Sequence, residues 1–583
     1  MNASTGQKSF PSHQWVLPPA DEGVCERLAR ALSLTPLSSR ILYGRGIRSV
    51  EEAERFLTSS LQQMRPPFLF NGMERAVERL LQAIEGQERV LIYGDYDVDG
   101  LTSTAILVHF LRHAGLNPLY HVPDRLREGY GFHPGWVRAF SEKGVRLIVT
   151  VDCGITAFDA VQAAGECGID VIITDHHECA DGLPPAFAVL NPKIPGDPFP
   201  FRDLAGVGVA FYLVVALRGR MRERGMWGLV PEPNLREYLD LVALGTLADM
   251  VPLREENRIF VKHGMEEISS ARRPGVSMLK ADAGLKGPIK DTRPLVYKLI
   301  PRINAPGRLG CALEALDLLL CEGWGEAGRI ARQLALRNNE RRAVEAEVYR
   351  EARELALEQL RRQDRSVLAL ASEGWHRGIL GIVASRLARD FHRTVVLVSF
   401  EGDLGKGSVR SVDNLAFLDA LLACGHLLED VGGHQMAAGI TLKQDSLADF
   451  HDAFERAVAD KMEGAGHVFP PLLLDGWLRY PDELTDQAMD EIEKMAPFGN
   501  GNPEPVIGMQ KMQILDKRQV GVDHLKLTLG RDGEYFEAIG FQMGRAGIIE
   551  SDHPCWDIVF TPRREYWDGR CRLSLRILDL KPA

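Results

Sequence analysis

The chain has 583 residues, 45% hydrophobic and 26% charged, a length that predicts three or four domains with substantial cores and excludes a small cross-linked scaffold. Lys and Arg number 69 against 80 Asp and Glu, a net charge of −11, which excludes a protein that coats duplex DNA by bulk positive charge; any grip on nucleic acid must be local. No apolar run approaches the ~20 residues of a membrane span, the first ten residues lack an apolar signal core, and the nine cysteines are scattered without C-x-x-C spacing, so the expectation is no membrane, a reducing cytoplasm and free thiols.

Residues 1–75 form an N-terminal segment. From 76 to 255 apolar runs at 90–93, 147–151 and 171–174 alternate with helical stretches, one of them at 101–111. Continuous apolar strands without polar alternation are buried on both faces of a parallel sheet, which predicts an α/β domain. Residues 256–363 read as a helical connector; 325–363, dense in Ala, Glu, Arg and Leu without proline, predict one long helix or a broken pair. Strands at 366–370 and 394–400 flank a helix at 381–390 and predict a smaller α/β domain over 364–462. After the break at Pro470 and Pro471, short strands at 505–509, 525–529, 556–560 and 572–578 predict a β-barrel or sandwich over 463–583, its last strand basic at Arg570, Arg572 and Arg576.

Chemistry concentrates at strand ends. Asp95, Asp97 and Asp99 alternate directly after the first strand, and in an extended segment alternate side chains share a face, so three carboxylates converge and want a hard cation. A calcium EF-hand fails, because the twelfth loop position must be a bidentate Glu and is Ile106; the bland alternative is a solvated acidic loop. The next strands end in Asp152-Cys153-Gly154 and Asp175-His176-His177, and Asp249 follows an apolar helix, where alone it reads as an ordinary C-terminal turn. Asp175-His176-His177 alone would also fit a buried histidine. In an open parallel sheet, however, the carboxyl ends of the strands line one edge, so these motifs should meet in one crevice.

These motifs resemble the DHH phosphoesterase superfamily, named for Asp175-His176-His177, and within it the RecJ family. Residues 375–384 (Trp-His-Arg-Gly-Ile-Leu-Gly-Ile-Val-Ala) and 432–439 (Gly-Gly-His-Gln-Met-Ala-Ala-Gly) resemble the signatures of the accompanying DHHA1 domain, and the C-terminal segment is placed and sized like that family's OB-fold. The resemblance covers most of the chain. It implies a single-strand-specific DNA exonuclease that works from the 5′ end with Mg²⁺ or Mn²⁺, releases mononucleotides in DNA repair and recombination, and cooperates with a single-strand-binding protein and a helicase. Asp152 is then the bridge between two ions, His176 a ligand, and His177 a ligand or transition-state contact. Physics agrees with two metals: Asp95, Asp97, Asp99, Asp152 and Asp249 put five negative charges in one cleft, too repulsive to stay ionised without cations. Oxygen ligands with one or two imidazoles favour Mn²⁺ or Mg²⁺ over a structural zinc site, leaving Cys153 and Cys179 to packing.

Gly432, Gly433 and His434 predict a backbone anion nest for a phosphate, with Arg302, Arg308, His376, Arg377 and Arg410 as partners; for each Arg singly an ordinary ion pair is the equal alternative. Trp556, Tyr566 and Trp567 are stacking platforms or, more simply, core residues of the C-terminal domain, which is expected to hold the strand behind the active site. Two other functions compete: a small-substrate DHH phosphoesterase acting on short oligonucleotides or nucleotide phosphates, whose relatives lack the OB-like tail, and a catalytically inactive RecJ-like scaffold, which would have lost ligand carboxylates that are all present here.

Overall fold

The computed structural model describes residues 13–228, 230–411, 417–434, 437–462, 471–544, 548, 553–567 and 570–583. The chain divides into two compact units: residues 65–251 with 263–467, and residues 1–64 with 252–262 and 468–583. Among the described residues no helix is long and apolar enough to cross a membrane, and the eight described cysteines are free.

In the first of these units a five-stranded parallel sheet runs in the order Leu119–His121, Val90–Gly94, Leu147–Val151, Asp170–Thr174, Ala188–Leu190. Val90–Gly94 and Leu147–Val151 are buried at every residue, as their unbroken apolar sequences require. Gly94 pairs with Val151 and Val151 with Thr174, so the three strands end in register and the residues after them share one edge. The helices Val98–His113, Gly206–Glu223 and Leu239–Ala248 pack together beside this sheet and are buried almost all round.

The connector contains the helices Pro274–Asp282, Ile300–Leu309 and Leu313–Leu320 and then one unbroken 39-residue helix, Trp324–Arg362. Val348, Ala352 and Ala356 of that helix enter the core of the smaller domain beside Leu380, Val383 and Leu387, the two small alanines allowing close approach. The smaller sheet runs Asp430–His434, Ala437–Lys443, Leu404–Arg410, Thr394–Glu401, Val367–Ser372, with only the last pair parallel.

The other unit is built on a closed barrel. Ile507–Val520 pairs with His524–Arg531, which pairs with Glu534–Gly540; Glu534–Gly540 lies parallel to Arg570–Pro582, which pairs with Trp556–Trp567, and Trp556–Trp567 returns to Ile507–Val520. This is the five-stranded Greek-key closure of an OB-fold. The strand Glu534–Gly540 has no counterpart among the strands expected from sequence, because it opens on exposed Glu534 and Tyr535 and its apolar alternation is short. The N-terminal helices Glu22–Leu32, Pro36–Gly44 and Val50–Thr58 put Leu28, Ile41, Leu42 and Ala53 into the same core as Met509, Leu527, Phe560 and Leu575. Strand Trp15–Val16 pairs with Leu472–Leu473, and Trp15 Nε1 donates to Asp579 Oδ2 at 2.7 Å. The expected break at Pro470 lies outside the described residues, whereas Pro471 directly precedes strand Leu472–Leu473.

Candidate metal centre and anion site

The carboxylates converge, but not along an extended segment. Asp95 follows the strand Val90–Gly94; Asp97 is already the N-cap of Val98–His113, its Oδ1 accepting from Gly100 N at 3.1 Å; Asp99 lies in the first helical turn. A capping aspartate starts a helix wherever its side chain can take one of the free N–H groups, which outweighs the alternation read from sequence. The turn is tight enough to demand Gly100, whose Cβ would lie 2.5 Å from Asp95 O. Asp152 follows its strand at φ 58°, its N–H bonded to Thr174 O at 2.9 Å, and Asp249 caps the C-terminus of Leu239–Ala248.

Three overlapping groups of ligand atoms result: Asp95, Asp97 and Asp152; Asp99, His176 and Asp249; Asp152, His176 and His177, the atoms of each group within 4.8 Å of one another. His176 Nε2 lies 3.1 Å from Asp152 Oδ1, 3.6 Å from Asp249 Oδ2 and 3.8 Å from Asp99 Oδ2. Asp99 is oriented by N–H bonds from Gly206 and Val207, both 2.8 Å, at the N-terminus of Gly206–Glu223. Asp175 plays a different part: its Oδ1 accepts from His176 N at 2.7 Å, His177 N at 3.0 Å and His177 Nδ1 at 2.7 Å, and its Oδ2 from Ile155 N at 2.9 Å. It orients the two histidines. Tyr130, which carries no sequence signal, brings its hydroxyl 3.2 Å from His177 Nδ1.

Burial, with the neighbouring carboxylate charges, pushes Asp95, Asp99 and Asp152 well above the usual carboxyl range, and burial with the charge of Asp97 raises Asp249 to about 7. Burial and the charge of His177 lower His176 to about 3. For the pair Asp175 and His177 burial opposes both charges, yet their mutual hydrogen bond and attraction prevail, holding Asp175 down to about 2 and His177 up to about 9. Four buried atoms, Asp95 Oδ1, Asp152 Oδ1, His176 Nε2 and Asp249 Oδ2, make no hydrogen bond. Asp152 Oδ1 and Asp249 Oδ2 crowd against His176 Nε2 without hydrogen-bonding it, and a buried polar atom without a hydrogen bond costs about 1–3 kcal/mol, more when charged, so their convergence marks a place for cations. The donors are carboxylates and imidazole, and Cys153 Sγ turns instead towards Tyr93 O at 3.9 Å, so the residues fit hard divalent ions such as Mn²⁺ or Mg²⁺.

The arginines separate into two kinds. Arg302 is ion-paired with Asp282 at 3.1 Å and Arg377 with Glu401 at 2.7 Å. Arg308 and Arg410 have no carboxylate within ion-pairing distance among the described residues; Arg308 donates to Gly378 O at 3.5 Å, and Arg410 to Ser408 Oγ at 2.8 Å and Val409 O at 2.7 Å. Burial and the like charge of Arg125, joined at Arg308 by Arg341, hold both down to about 10. Arg125 and Arg341 were not singled out from sequence, because only the fold brings residues 125, 308, 341 and 410 together. His376 Nδ1 accepts from Gly378 N at 3.2 Å, capping a short turn. The expected nest at 432–434 is an edge strand instead: Gly432 pairs with Gly439 and Gly433 with Ala438, and a strand alternates its N–H directions rather than converging them. The side chain of His434 lies outside the described residues.

Comparison with known proteins agrees with this geometry. Residues 89–246 match the DHH family N-terminal domain, 364–460 the DHHA1 domain and 475–579 the RecJ OB domain. The chain is 38% identical over 562 residues to the single-stranded-DNA-specific exonuclease RecJ of Escherichia coli, covering 94% of this chain and 95% of that one. It is 34% identical over 573 residues to the protein of that name in Bacillus subtilis, covering 97% and 70%. The crystal structure of Thermus thermophilus RecJ in complex with Mn²⁺ superposes with a TM-score of 0.82 at 29% identity, covering 97% of this chain and 79% of that one. With three domain models in the same order and such identity along nearly all of its length, the chain belongs to the RecJ family.

Proposed function

We propose that this protein is a single-strand-specific DNA exonuclease that releases mononucleotides from the 5′ end with two divalent ions. The observation that carries the reading is the set of four buried ligand atoms at the sheet edge that make no hydrogen bond among the described residues, in the same compact unit as two half-buried arginines with no carboxylate within ion-pairing distance among those residues. Asp95, Asp97 and Asp152 would hold one ion, Asp99, His176 and Asp249 the other, with Asp152 between them. When bound, the ions neutralise the carboxylates, lower the pKa of a water and stabilise charge developing on the phosphoryl oxygens.

The chain's own residues do the rest. His177, kept protonated by Asp175, presents a positive imidazole to the scissile phosphate. Arg308 and Arg410, with Arg125, bind the terminal 5′-phosphate bidentately, which sets the distance to the cleaved bond at one nucleotide and gives the enzyme its polarity, while Arg341 is paired with Glu345 at 2.8 Å. Arg302, Arg377 and His376 are left to structural contacts. The barrel binds single-stranded DNA through its outer face, where Arg518 pairs across strands with Lys526, Lys526 with Ile539, and Ile539 with Arg576, beside the half-exposed Phe541. Trp556 is 6% exposed and belongs to the barrel core, and the side chains of Tyr566, Trp567 and Arg570 lie outside the described residues. A role in cytoplasmic DNA repair and recombination, with a single-strand-binding protein and a helicase as partners, follows from the family reading.

The test is digestion of 5′-labelled and 3′-labelled single strands and blunt duplexes with Mn²⁺ or Mg²⁺. Mononucleotides should appear from the 5′ end of single strands alone; attack from the 3′ end or efficient duplex digestion would overturn the proposal.

A further inference from the structure

One residue beside the metal cluster has no part in the scheme above. Tyr130 is 46% exposed, yet its hydroxyl lies 3.2 Å from His177 Nδ1, 3.4 Å from His177 Nε2 and 3.4 Å from Asp152 O, and its ring meets the imidazole edge-on at 5.6 Å. The phenol oxygen is thus nearly equidistant from both ring nitrogens of His177, whose Nδ1 is already bonded to Asp175.

The loop that brings Tyr130 there is tightly wound. Asp124 Oδ1 accepts from Leu126 N at 2.8 Å and Arg127 N at 3.2 Å, Asp124 O accepts from Glu128 N at 2.7 Å, and Asp124 N donates to Glu128 Oε1 at 2.9 Å. Glu128 is braced by His121 at 3.2 Å, and the buried Tyr93 hydroxyl donates to Gly131 O at 3.0 Å. So many local bonds leave the loop few conformations and deliver both a charge and a hydroxyl: Arg125 is felt at Arg308 and Arg410, while Tyr130 reaches the histidine.

We propose that Tyr130 is a positioning residue for hydrolysis, its hydroxyl packing against the His177 imidazole and Asp152 O and limiting the tilt of the ring about its bond to Asp175. This rests on the reading that His177 serves the reaction. The Asp175 bond fixes one nitrogen; without the hydroxyl the ring can tilt about that bond and present its other nitrogen to the phosphate only part of the time, so the loss reduces turnover without changing how the strand binds.

The experiment compares Tyr130→Phe, His177→Ala and the double variant on a short 5′-phosphorylated strand, with strand affinity measured separately on metal-free protein in EDTA. Tyr130→Phe should lower kcat about tenfold or more with KM within about twofold, bind the strand in EDTA as wild type does, and cost nothing further when added to His177→Ala. A Tyr130→Phe enzyme with wild-type kcat, losses that add in the double variant, or loss of strand binding in EDTA would each overturn the inference, the last by assigning Tyr130 to the fold or to docking. If His177→Ala itself turns over normally, the underlying reading of His177 fails; if it is slow while Tyr130→Phe is fast, only the inference fails.

Discussion

Asp152 sits at φ 58°, where a non-glycine residue carries about 1–3 kcal/mol of backbone strain, and Gly206 packs so close that a Cβ there would lie 2.6 Å from its Oδ1. Strain and crowding accompany a carboxylate that belongs to two of the three groups of ligand atoms, where the proposed bridge between two ions would use it. Asp152→Asn should therefore lower turnover on the order of a thousandfold while the metal-free protein melts no lower than wild type, since a neutral side chain of the same shape replaces a crowded buried carboxyl whose ionisation burial disfavours; near wild-type turnover would refute the assignment. The same electrostatics set a pH dependence. Asp249, near about 7, and His177, near about 9, bind their protons more tightly in the folded metal-free protein than in the unfolded chain, so their stabilisation is lost as pH rises through those values. Asp175 acts only on the acid side, being held down near about 2, and His176, lowered to about 3, adds no slope above its ordinary value of 6.5. Denaturant midpoints in EDTA should fall between pH 6.5 and 9, and Mn²⁺ should flatten the slope; a midpoint that rises over that interval would contradict the raised values. Among the arginines, Arg410→Ala should reduce kcat/KM on 5′-phosphorylated strands tenfold or more relative to 5′-hydroxyl strands, about the strength of a charge-assisted hydrogen bond. Arg377→Ala, which breaks only a surface ion pair, should change the two rates alike and little.

At the scale of elements, one buried cation ties three segments together. Arg258 is 1% exposed and donates to Ser59 Oγ at 2.9 Å, Met495 O at 2.7 Å, Ala496 O at 2.8 Å and Lys494 O at 3.1 Å, with its guanidinium 4.0 Å over the Phe56 ring. Burial alone lowers its pKa to about 9. These carbonyls close the C-terminal end of the helix Asp486–Lys494, where no helical N–H remains to satisfy them; Asn502 Nδ2 also donates to Met495 O at 2.9 Å. Arg258→Met keeps the bulk and removes the donors, so it should destabilise the barrel-bearing unit by about 3 kcal/mol, seen as a lower midpoint in chemical denaturation; an unchanged midpoint would show that water replaces the guanidinium. Elements were legible from sequence where one pattern dominated. The strands at 90, 147 and 170 are uninterrupted apolar runs, and the helix Trp324–Arg362 is free of breakers. Legibility failed at 95–99, where period-two aspartates read as extended chain although Asp97 caps a helix. It failed again at 430–434, where glycines read as a nest form an edge strand.

For the whole molecule, the barrel's outer face offers a test that leaves the metal centre intact. Arg518, Lys526 and Phe541 lie on surface strands or at their ends, outside the barrel core. The variant Arg518→Ala, Lys526→Ala, Phe541→Ala should weaken binding of long single strands and lessen its dependence on salt, each lost phosphate contact reducing the logarithmic slope by about 0.7. Very short substrates should be cleaved as before. Equal losses on dinucleotides and long strands would indicate damage to the fold instead.

The sequence by itself determined the parallel sheet and the strand-end placement of Asp95, Asp152 and Asp175-His176-His177, because apolar runs and the motifs that follow them are local features and a parallel sheet aligns its strand ends. Which charges find partners depends instead on the folded packing. Arg302 and Arg377 found Asp282 and Glu401 while Arg308 and Arg410 came to lie half-buried within reach of the charge of Arg125, a sorting that depends on residues distant in sequence. The tertiary structure likewise decided that the N-terminal helices complete the core of the C-terminal barrel and that a tyrosine without any motif meets His177. Periodicity reports which face of an element is buried; what covers that face is chosen by the packing of the entire chain.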